Sequence, residues 1–149
     1  MHETRGSCHC GNLQTVFRSA IMPADIPVRA CQCSFCRKHN VRAVSDPSGG
    51  AEIIVRDPAK LSRYRFGHGA ADFFVCAHCG VYVAAVMEED SAAYATLMVN
   101  AFDNQTDFVT SAEPIDYAGE GVEGRRERRR RKWTPATIII GDGAASADT

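Results

Sequence analysis

The chain has 149 residues, of which 45% are hydrophobic and 23% charged, and its formal net charge is −1. These values are ordinary for a single globular domain with its own core, and so small a net charge argues neither for nor against nucleic acid or a membrane surface. The longest apolar run, residues 81–87, is far shorter than the ~20 residues that span a bilayer. The N-terminus has no apolar signal region, so we expect a cytoplasmic protein.

Along the chain, short segments rich in apolar residues predict strands, and turn residues separate them. The predicted strands are residues 12–18, 28–30, 41–45, 51–55, 61–66, 72–76, 81–87 and 93–100. A turn of small residues is predicted at 6–10 and one helical turn at 34–40. Because no segment before residue 105 shows a sustained helical period, the sequence predicts a mainly β fold with non-local pairings and little helix.

The C-terminal part has a different composition. Residues 116–124 are glycine-rich, and residues 125–132 hold seven basic residues and one acid, which leaves the rest of the chain acidic at about −7. We predict a zinc-binding domain over residues 1–115 and an extension over residues 116–149, with an edge strand at 137–140 and a disordered tail from 141. We interpret the basic run as a solvated loop or a partner contact and do not expect it to bind nucleic acid.

All seven cysteines fall into clusters. Thiolates two or three residues apart on a tight turn can point at one soft divalent ion, and neighbouring backbone N–H groups can point at the sulfurs. A disulfide framework is the competing interpretation. Seven is an odd number, however, and a bond within such a pair would close a short, strained loop.

The seven thiols divide naturally into four and three. We call Cys8, Cys10, Cys76 and Cys79 the cysteine tetrad, and Cys31, Cys33 and Cys36 the cysteine triple. A metal ion bound by two cysteine pairs from distant parts of the chain would close a long loop and so stabilise the fold. We therefore predict a closed structural zinc site on the tetrad. Three thiolates leave one tetrahedral position free, which is typical of a catalytic or substrate-binding site, so we predict an open site on the triple. The alternative is that the triple is a second structural staple or holds no metal.

At these residues the sequence resembles the glutathione-dependent formaldehyde-activating enzyme family, which also includes centromere protein V. The matching segments are Gly6-Ser7-Cys8-His9-Cys10-Gly11, Cys31-Gln32-Cys33-Ser34-Phe35-Cys36-Arg37, Leu61-Ser62-Arg63-Tyr64 and Phe74-Val75-Cys76-Ala77-His78-Cys79-Gly80. The resemblance covers roughly residues 5–115. It implies several coiled antiparallel β-sheets around zinc-binding cysteine knuckles, a fold shared with methionine sulfoxide reductase B and the Rab exchange factor Mss-four. It also implies a structural zinc on the tetrad and a second zinc on the triple, where the glutathione thiol is handled.

The leading hypothesis is a zinc-dependent carbon–sulfur lyase that resembles an S-(hydroxymethyl)glutathione synthase and acts on a small thiol and an aldehyde. Zinc on the triple would bind the substrate thiol as thiolate and hold its sulfur near the carbonyl. Arg37, Lys38 and His39 directly follow the triple, and we expect them to contact the substrate, the two cations through a carboxylate. The alternative is that these three side chains are ordinary solvated surface groups. The alternative is a non-catalytic, zinc-stabilised binding module, because the exchange factor with this fold is not an enzyme.

Overall fold

The computed structural model describes residues 1–141, and most of its regular structure is β-strand. The strands are β1 (His2–Ser7), β2 (Leu13–Ser19), β3 (Arg29–Cys31), β4 (Ala43–Val44), β5 (Gly50–Val55), β6 (Leu61–Tyr64), β7 (Asp72–Cys76), β8 (Tyr82–Glu89), β9 (Ala92–Met98), β10 (Glu113–Ile115) and β11 (Thr134–Ile140). The helices are α1 (Ser34–Lys38) and α2 (Val122–Lys132), with single 3₁₀ turns at Pro58–Lys60, Val99–Ala101 and Gln105–Asp107. The prediction of a mainly β fold is confirmed. The predicted disordered tail lies outside the described residues except for Gly141.

The strands form one connected mixed sheet in the order β1-β2-β5-β11-β9-β4-β3-β10, from which β8, β7 and β6 branch at β9. Most pairings are antiparallel, including β8–β9, whereas β11 runs parallel to β5 and β10 runs parallel to β3. Strand β11 lies between β5 and β9, but it pairs with β9 only through residues 134–136, and residues 137–140 pair with β5 alone. The edge strand predicted at 137–140 is therefore confirmed for these residues. Strand β1 was not predicted, since its polar sequence lacks an apolar alternation and it pairs only with β2 at the end of the sheet.

Strand β8 explains the longest apolar run of the chain. Its residues 82–87 are all buried, because successive side chains point to opposite faces and each face has a core. Val83 and Val86 belong to the larger core cluster. Tyr82 and Met87 belong to a smaller cluster that also contains Cys36. The triple is therefore backed by the smaller core.

Helix α2 packs against the smaller core although it is polar on every side. Arg126 and Arg130 contact the carboxylate of Glu89 at 2.9 and 2.8 Å, and Ser45 Oγ donates to the carbonyl of Lys132 at 2.9 Å. The next residue, Trp133, is buried in the smaller core cluster. The interpretation of the basic run as a loop is therefore wrong, while the division of the chain at residue 115 stays a prediction.

Strand β10 determines where α2 lies. Ile115 is the register partner of Cys31, and its carbonyl accepts a hydrogen bond from Gln32 N–H at 2.9 Å. The segment that leads into α2 thus starts beside the triple. Neither helix in residues 1–141 is long and apolar enough to cross a bilayer.

Candidate metal centres and the cavity beside the cysteine triple

Two turns of similar backbone geometry carry the tetrad. In the first, Cys8 N–H donates to the carbonyl of Leu13 at 2.8 Å, and in the second, Cys76 N–H donates to the carbonyl of Val81 at 3.0 Å. Each bond joins a cysteine to the residue five positions later and so closes a tight loop around the pair. The same local fold therefore presents both cysteine pairs.

A glycine follows each cysteine pair for a conformational reason. Gly11 and Gly80 both have φ of 85°, in the left-handed region that residues with a Cβ adopt only with strain. Their N–H groups donate to the carbonyls of Cys8 and Cys76 at 3.1 and 2.8 Å. These glycines fold the backbone back so that the sulfurs of each pair face the same point.

The four tetrad sulfurs lie within 4.8 Å of one another. Cys10 Sγ lies 3.7 Å from Cys8 Sγ and 3.6 Å from Cys76 Sγ, close to the edge of about 3.8 Å expected for sulfurs arranged tetrahedrally at ≈2.3 Å from a zinc ion. Backbone N–H groups of Leu13 and Cys79 donate to Cys8 Sγ and Cys76 Sγ at 3.2 and 3.4 Å. All seven cysteines are free thiols within the described residues. The tetrad fits a closed four-coordinate metal site.

The tetrad thiols differ in acidity. Burial raises the pKa of Cys8 to about 12, although the N–H of Leu13 works against it. The pKa of Cys79 is lowered to about 6, because backbone N–H groups of Cys10 and Val81 outweigh the effect of burial. One thiolate is readily accommodated here, and four would need a bound cation to balance their charge.

The triple is built at the junction between β3 and α1. Cys31 is the last residue of β3, Cys33 caps the start of α1, and Cys36 lies within the helix. Their sulfurs lie within 4.8 Å of one another, and Cys33 Sγ accepts from Cys36 N–H at 3.4 Å. Hydrogen bonds from the Cys31 and Cys36 thiols lower the pKa of Cys33, and hydrogen bonds with Cys31 and Cys33 raise the pKa of Cys36. The triple could hold a metal ion.

Phe35 fixes the orientation of α1. Its ring lies 4.9 Å from the centroid of Phe73 and 5.1 Å from that of Tyr82, both edge-on. The rings of Tyr64 and Phe66 pack against it at 5.4 and 5.8 Å. Edge-to-face aromatic pairs add to the energy of simple burial, so this cluster holds α1, and with it Cys36, in one orientation.

A cavity of about 370 Å³ lies beside the triple, within the usual size range of sites for small ligands. Its lining includes Cys31, Cys33, Ser34, Phe66, His68, Phe73, Tyr117, Arg125, Arg128 and Arg129. A second pocket of about 60 Å³, which we call the inner pocket, shares Cys31, Phe73 and Arg129 with the cavity. Its lining also includes Cys36, Tyr82, Met98 and Trp133. Two thiols of the triple therefore face the cavity, and Cys36 faces the inner pocket.

The structure brings the seven predicted metal ligands together in the predicted groups of four and three. The three predicted substrate contacts lie elsewhere. Arg37, Lys38 and His39 are exposed and are not among the residues that line the cavity. The centroid of the His39 ring lies 4.5 Å from that of the Phe35 ring. Their contact with substrate stays a prediction without geometric support.

The cavity also contains residues that the sequence analysis missed. Arg125, Arg128 and Arg129 belong to the basic run, and His68 belongs to a glycine-flanked turn that was assigned no function. The run itself was visible in the sequence. Its place beside the triple follows from the pairing of β10 with β3, which no local pattern reveals.

Comparison with known proteins gives a family and a fold. A family model described as glutathione-dependent formaldehyde-activating enzyme matches residues 3–115. A crystal structure of a Rhodobacter sphaeroides protein is similar, with 24% identity and a TM-score of 0.55, over 74% of this chain and 99% of that chain. A search among curated proteins gives no match. The family match ends before α2, so the guanidinium groups of the cavity lie outside it.

Proposed function

The chain belongs to the glutathione-dependent formaldehyde-activating enzyme family, and from this membership we propose that it is a zinc-dependent enzyme of the carbon–sulfur lyase type. It handles a thiol adduct of an aldehyde, as an S-(hydroxymethyl)glutathione synthase does. The observation that carries this proposal is a group of three sulfurs within 4.8 Å of one another, two of which belong to residues that line a cavity of about 370 Å³. In this proposal the tetrad holds a structural zinc and the triple holds the catalytic one.

The proposed reaction needs no oxidant or reductant. The substrate sulfur attacks the carbonyl carbon, a carbon–sulfur bond forms, and the π bond of the carbonyl breaks. The proton of the thiol ends on the former carbonyl oxygen, which gives a hemithioacetal. The reverse reaction returns the free thiol and the aldehyde.

A zinc ion on the triple would favour the deprotonated form of the substrate thiol and leave one coordination position for it. The chain supplies the other requirements. Phe66 and Phe73 line the cavity with apolar surface, which limits the access of water to the reacting atoms. His68 lines the same cavity, and we assign to its imidazole the transfer of the proton between sulfur and oxygen.

The inner pocket favours a small aldehyde. Its volume of about 60 Å³ is far smaller than the 370 Å³ of the adjoining cavity. Apolar side chains, including Met98 and Trp133, make up much of its wall. A carbonyl compound of one or two carbon atoms fits this space beside Cys31 and Cys36.

Seven unpaired thiols also favour a reducing compartment, since disulfides persist in oxidising ones. We therefore propose that the protein acts in the cytoplasm. A count of free thiols after purification with and without a reductant tests the reduced state on which this proposal rests: seven thiols should titrate after denaturation in both samples.

Exchange spectroscopy by nuclear magnetic resonance tests the proposed activity. The protein with both sites metal-loaded should speed the exchange between free glutathione and its formaldehyde adduct above the rate measured without protein. Cys33→Ser should lose this acceleration because one ligand of the triple is gone. A fully loaded wild-type protein that leaves the exchange rate unchanged would favour the non-catalytic binding module.

A further inference from the structure

Helix α2 contributes three guanidinium groups to the wall of the cavity, from Arg125, Arg128 and Arg129. We propose that Arg129 and Arg125 form the subsite that binds the carboxylate of the thiol handled at the triple. The proposal deepens the proposed function, on which it rests for the position of the substrate sulfur. The subsite itself can be tested with a carboxylate that has no sulfur.

The three guanidinium groups differ in how well their charge is compensated. Arg128 forms a bidentate ion pair with Glu120, in which Nε and Nη2 donate to the two carboxylate oxygens at 2.8 and 3.0 Å. Its guanidinium carbon lies 3.6 Å from the centroid of the Tyr117 ring. Arg125 donates to the carbonyl of Tyr117 at 3.0 Å and is 3.7 Å from Glu120. Arg128 is thus paired within the protein, and Arg125 is paired in part.

Arg129 has no such partner. Its residue is 8% exposed, and its Nε and Nη1 find no hydrogen-bond acceptor among residues 1–141. Nε of Arg125 is likewise buried without an acceptor in this part of the chain. Buried charged groups in proteins are normally paired and hydrogen-bonded, since an unpaired one loses its hydration without compensation.

A carboxylate of the ligand would supply the hydrogen-bond acceptors that Arg129 lacks. Burial and the neighbouring Arg128 and Arg125 lower the pKa of Arg129 to about 10, so the group remains a cation at neutral pH. A guanidinium presents its N–H donors in a planar fork that matches two carboxylate oxygens. Arg129 also lines both the cavity and the inner pocket beside Cys31, so one small molecule can reach the subsite and the triple together.

The local charge balance points the same way. Two carboxylates oppose the positive charge of the three guanidinium groups. One is Glu120, which pairs with Arg128, and the other is Asp116, which lines the cavity. One positive charge is left over on this side of the cavity. A competing account is that Arg129 balances negative charge on the triple, because Cys31 is among the groups that act on it electrostatically. The two accounts differ in what the loss of Arg129 should change.

The test compares three ligands: mercaptopropionate, its methyl ester and propionate. Affinities are measured by calorimetry on the metal-loaded protein, with metal content determined on the same samples. Trp133 is the single tryptophan of the chain, and its ring lies 4.6 Å from the Arg129 guanidinium, so its fluorescence reports binding at the subsite. Wild type should bind the acid at least about tenfold more tightly than the ester, as expected for hydrogen bonds to a charged group.

Three substitutions with the same loss of charge locate the effect. Arg129→Gln should bring the acid and the ester to nearly equal affinity, and Arg125→Gln should reduce the preference severalfold. Arg131→Gln is the matched control, because Arg131 is exposed on the same helix and should keep the full preference. If Arg129→Gln does not fold, the comparison of Arg125→Gln with Arg131→Gln decides the question.

Three results would contradict the proposed subsite. The first is equal affinity of wild type for the acid and the ester, and the second is an unchanged preference for the acid in Arg125→Gln and Arg129→Gln. The third is loss of metal from Arg129→Gln while the preference for the acid remains. Failure of the proposed function gives a different pattern. In that case propionate still binds, and its binding depends on Arg129. Any binding of the methyl ester is then the same in wild type and in Cys33→Ser.

Discussion

Arg129 and Trp133 are in direct contact at the end of α2. The guanidinium carbon of Arg129 lies 4.6 Å from the centroid of the Trp133 ring, and Trp133 N–H donates to the Arg129 carbonyl at 2.8 Å. Trp133 belongs to the same core cluster as Cys36. The segment that follows the family domain is therefore fixed to the core that supports the triple, and its basic residues form part of the wall of the cavity.

The tetrad and the triple should respond differently to the loss of one thiol. Cys76→Ser removes a ligand from a closed site that joins distant parts of the chain, and the metal-binding energy of such sites is of order 10 kcal/mol. We expect this variant to lose soluble folding, while Cys33→Ser keeps the fold with one metal fewer per chain. Circular dichroism with metal analysis measures both effects. Equal loss of folding in the two variants would contradict the assignment of distinct roles.

His68→Asn tests the assigned proton transfer. Asparagine keeps a similar polar shape but cannot carry the proton, and positioned acid–base groups contribute typically ~10²- to 10⁴-fold to rates. We expect the exchange rate of the glutathione–formaldehyde adduct to fall at least about tenfold, with metal content unchanged. His2→Asn, an exposed position in β1, is the control. A rate equal to wild type in His68→Asn would remove this residue from the mechanism.

Glu120→Gln should strengthen carboxylate binding while weakening the fold. Arg128 loses its ion pair with Glu120 at 2.8 Å, so its donors become available to a ligand and the cavity gains positive charge. We expect the preference for mercaptopropionate over its ester to rise severalfold. The free energy of unfolding should fall by about 0.5–1 kcal/mol, as for other partly exposed ion pairs. An unchanged preference would show that Arg128 is outside the reach of the ligand.

The stability effect of Glu120 should depend on pH in one direction. Hydrogen bonds from Arg128 hold the pKa of Glu120 below its ordinary value of 4.5, against the effect of burial. A carboxylate with a lowered pKa stabilises the fold above its unfolded pKa and loses this contribution as the pH falls through the folded value. The difference in melting temperature between wild type and Glu120→Gln should be present at neutral pH and shrink below pH 4.5. A difference that persists unchanged in acid would exclude this ion pair as its source.

Two glycine substitutions should act in opposite directions. Gly80→Ala places a Cβ at a residue with φ of 85°, which costs about 1–2 kcal/mol and should reduce the resistance of the tetrad to a chelator. Gly124→Ala lies in α2, where an added Cβ has nothing within 4 Å, and should stabilise the protein by up to about 1 kcal/mol through helix propensity. Thermal unfolding of the metal-loaded variants measures both. A stabilised Gly80→Ala protein would contradict the backbone account of this turn.

The sequence was sufficient to predict the grouping of the cysteines and most strands. Spacing indicates which thiols share a turn, and loop closure favours the union of Cys8 and Cys10 with Cys76 and Cys79. Alternation and turn residues indicate strands such as β7, whose predicted and observed bounds agree. These features are local or depend on simple pairing arguments.

The cavity wall could not be predicted in the same way. Helix α2 has no apolar face to produce a helical period, and what holds it is the contact of Arg126 and Arg130 with Glu89. Glu89 is the last residue of β8 and precedes Arg126 by 37 positions and Arg130 by 41 positions in the sequence. Proximity in sequence therefore predicts the carboxylate contact at Arg37 and Lys38, which are adjacent to the triple in the chain but exposed in the structure.

The central claim is that the triple holds a metal ion with one position open to a substrate thiol, and cobalt substitution tests it most directly. Cobalt on cysteine thiolates absorbs visible light in a manner that reports its ligands. Addition of glutathione should change the spectrum of the wild-type protein as another sulfur enters, and the change should persist well below the free thiol's pKa of about 8.5. Cys33→Ser should show no such change. A wild-type spectrum of two closed tetrathiolate sites that does not respond to glutathione at any pH would contradict the claim.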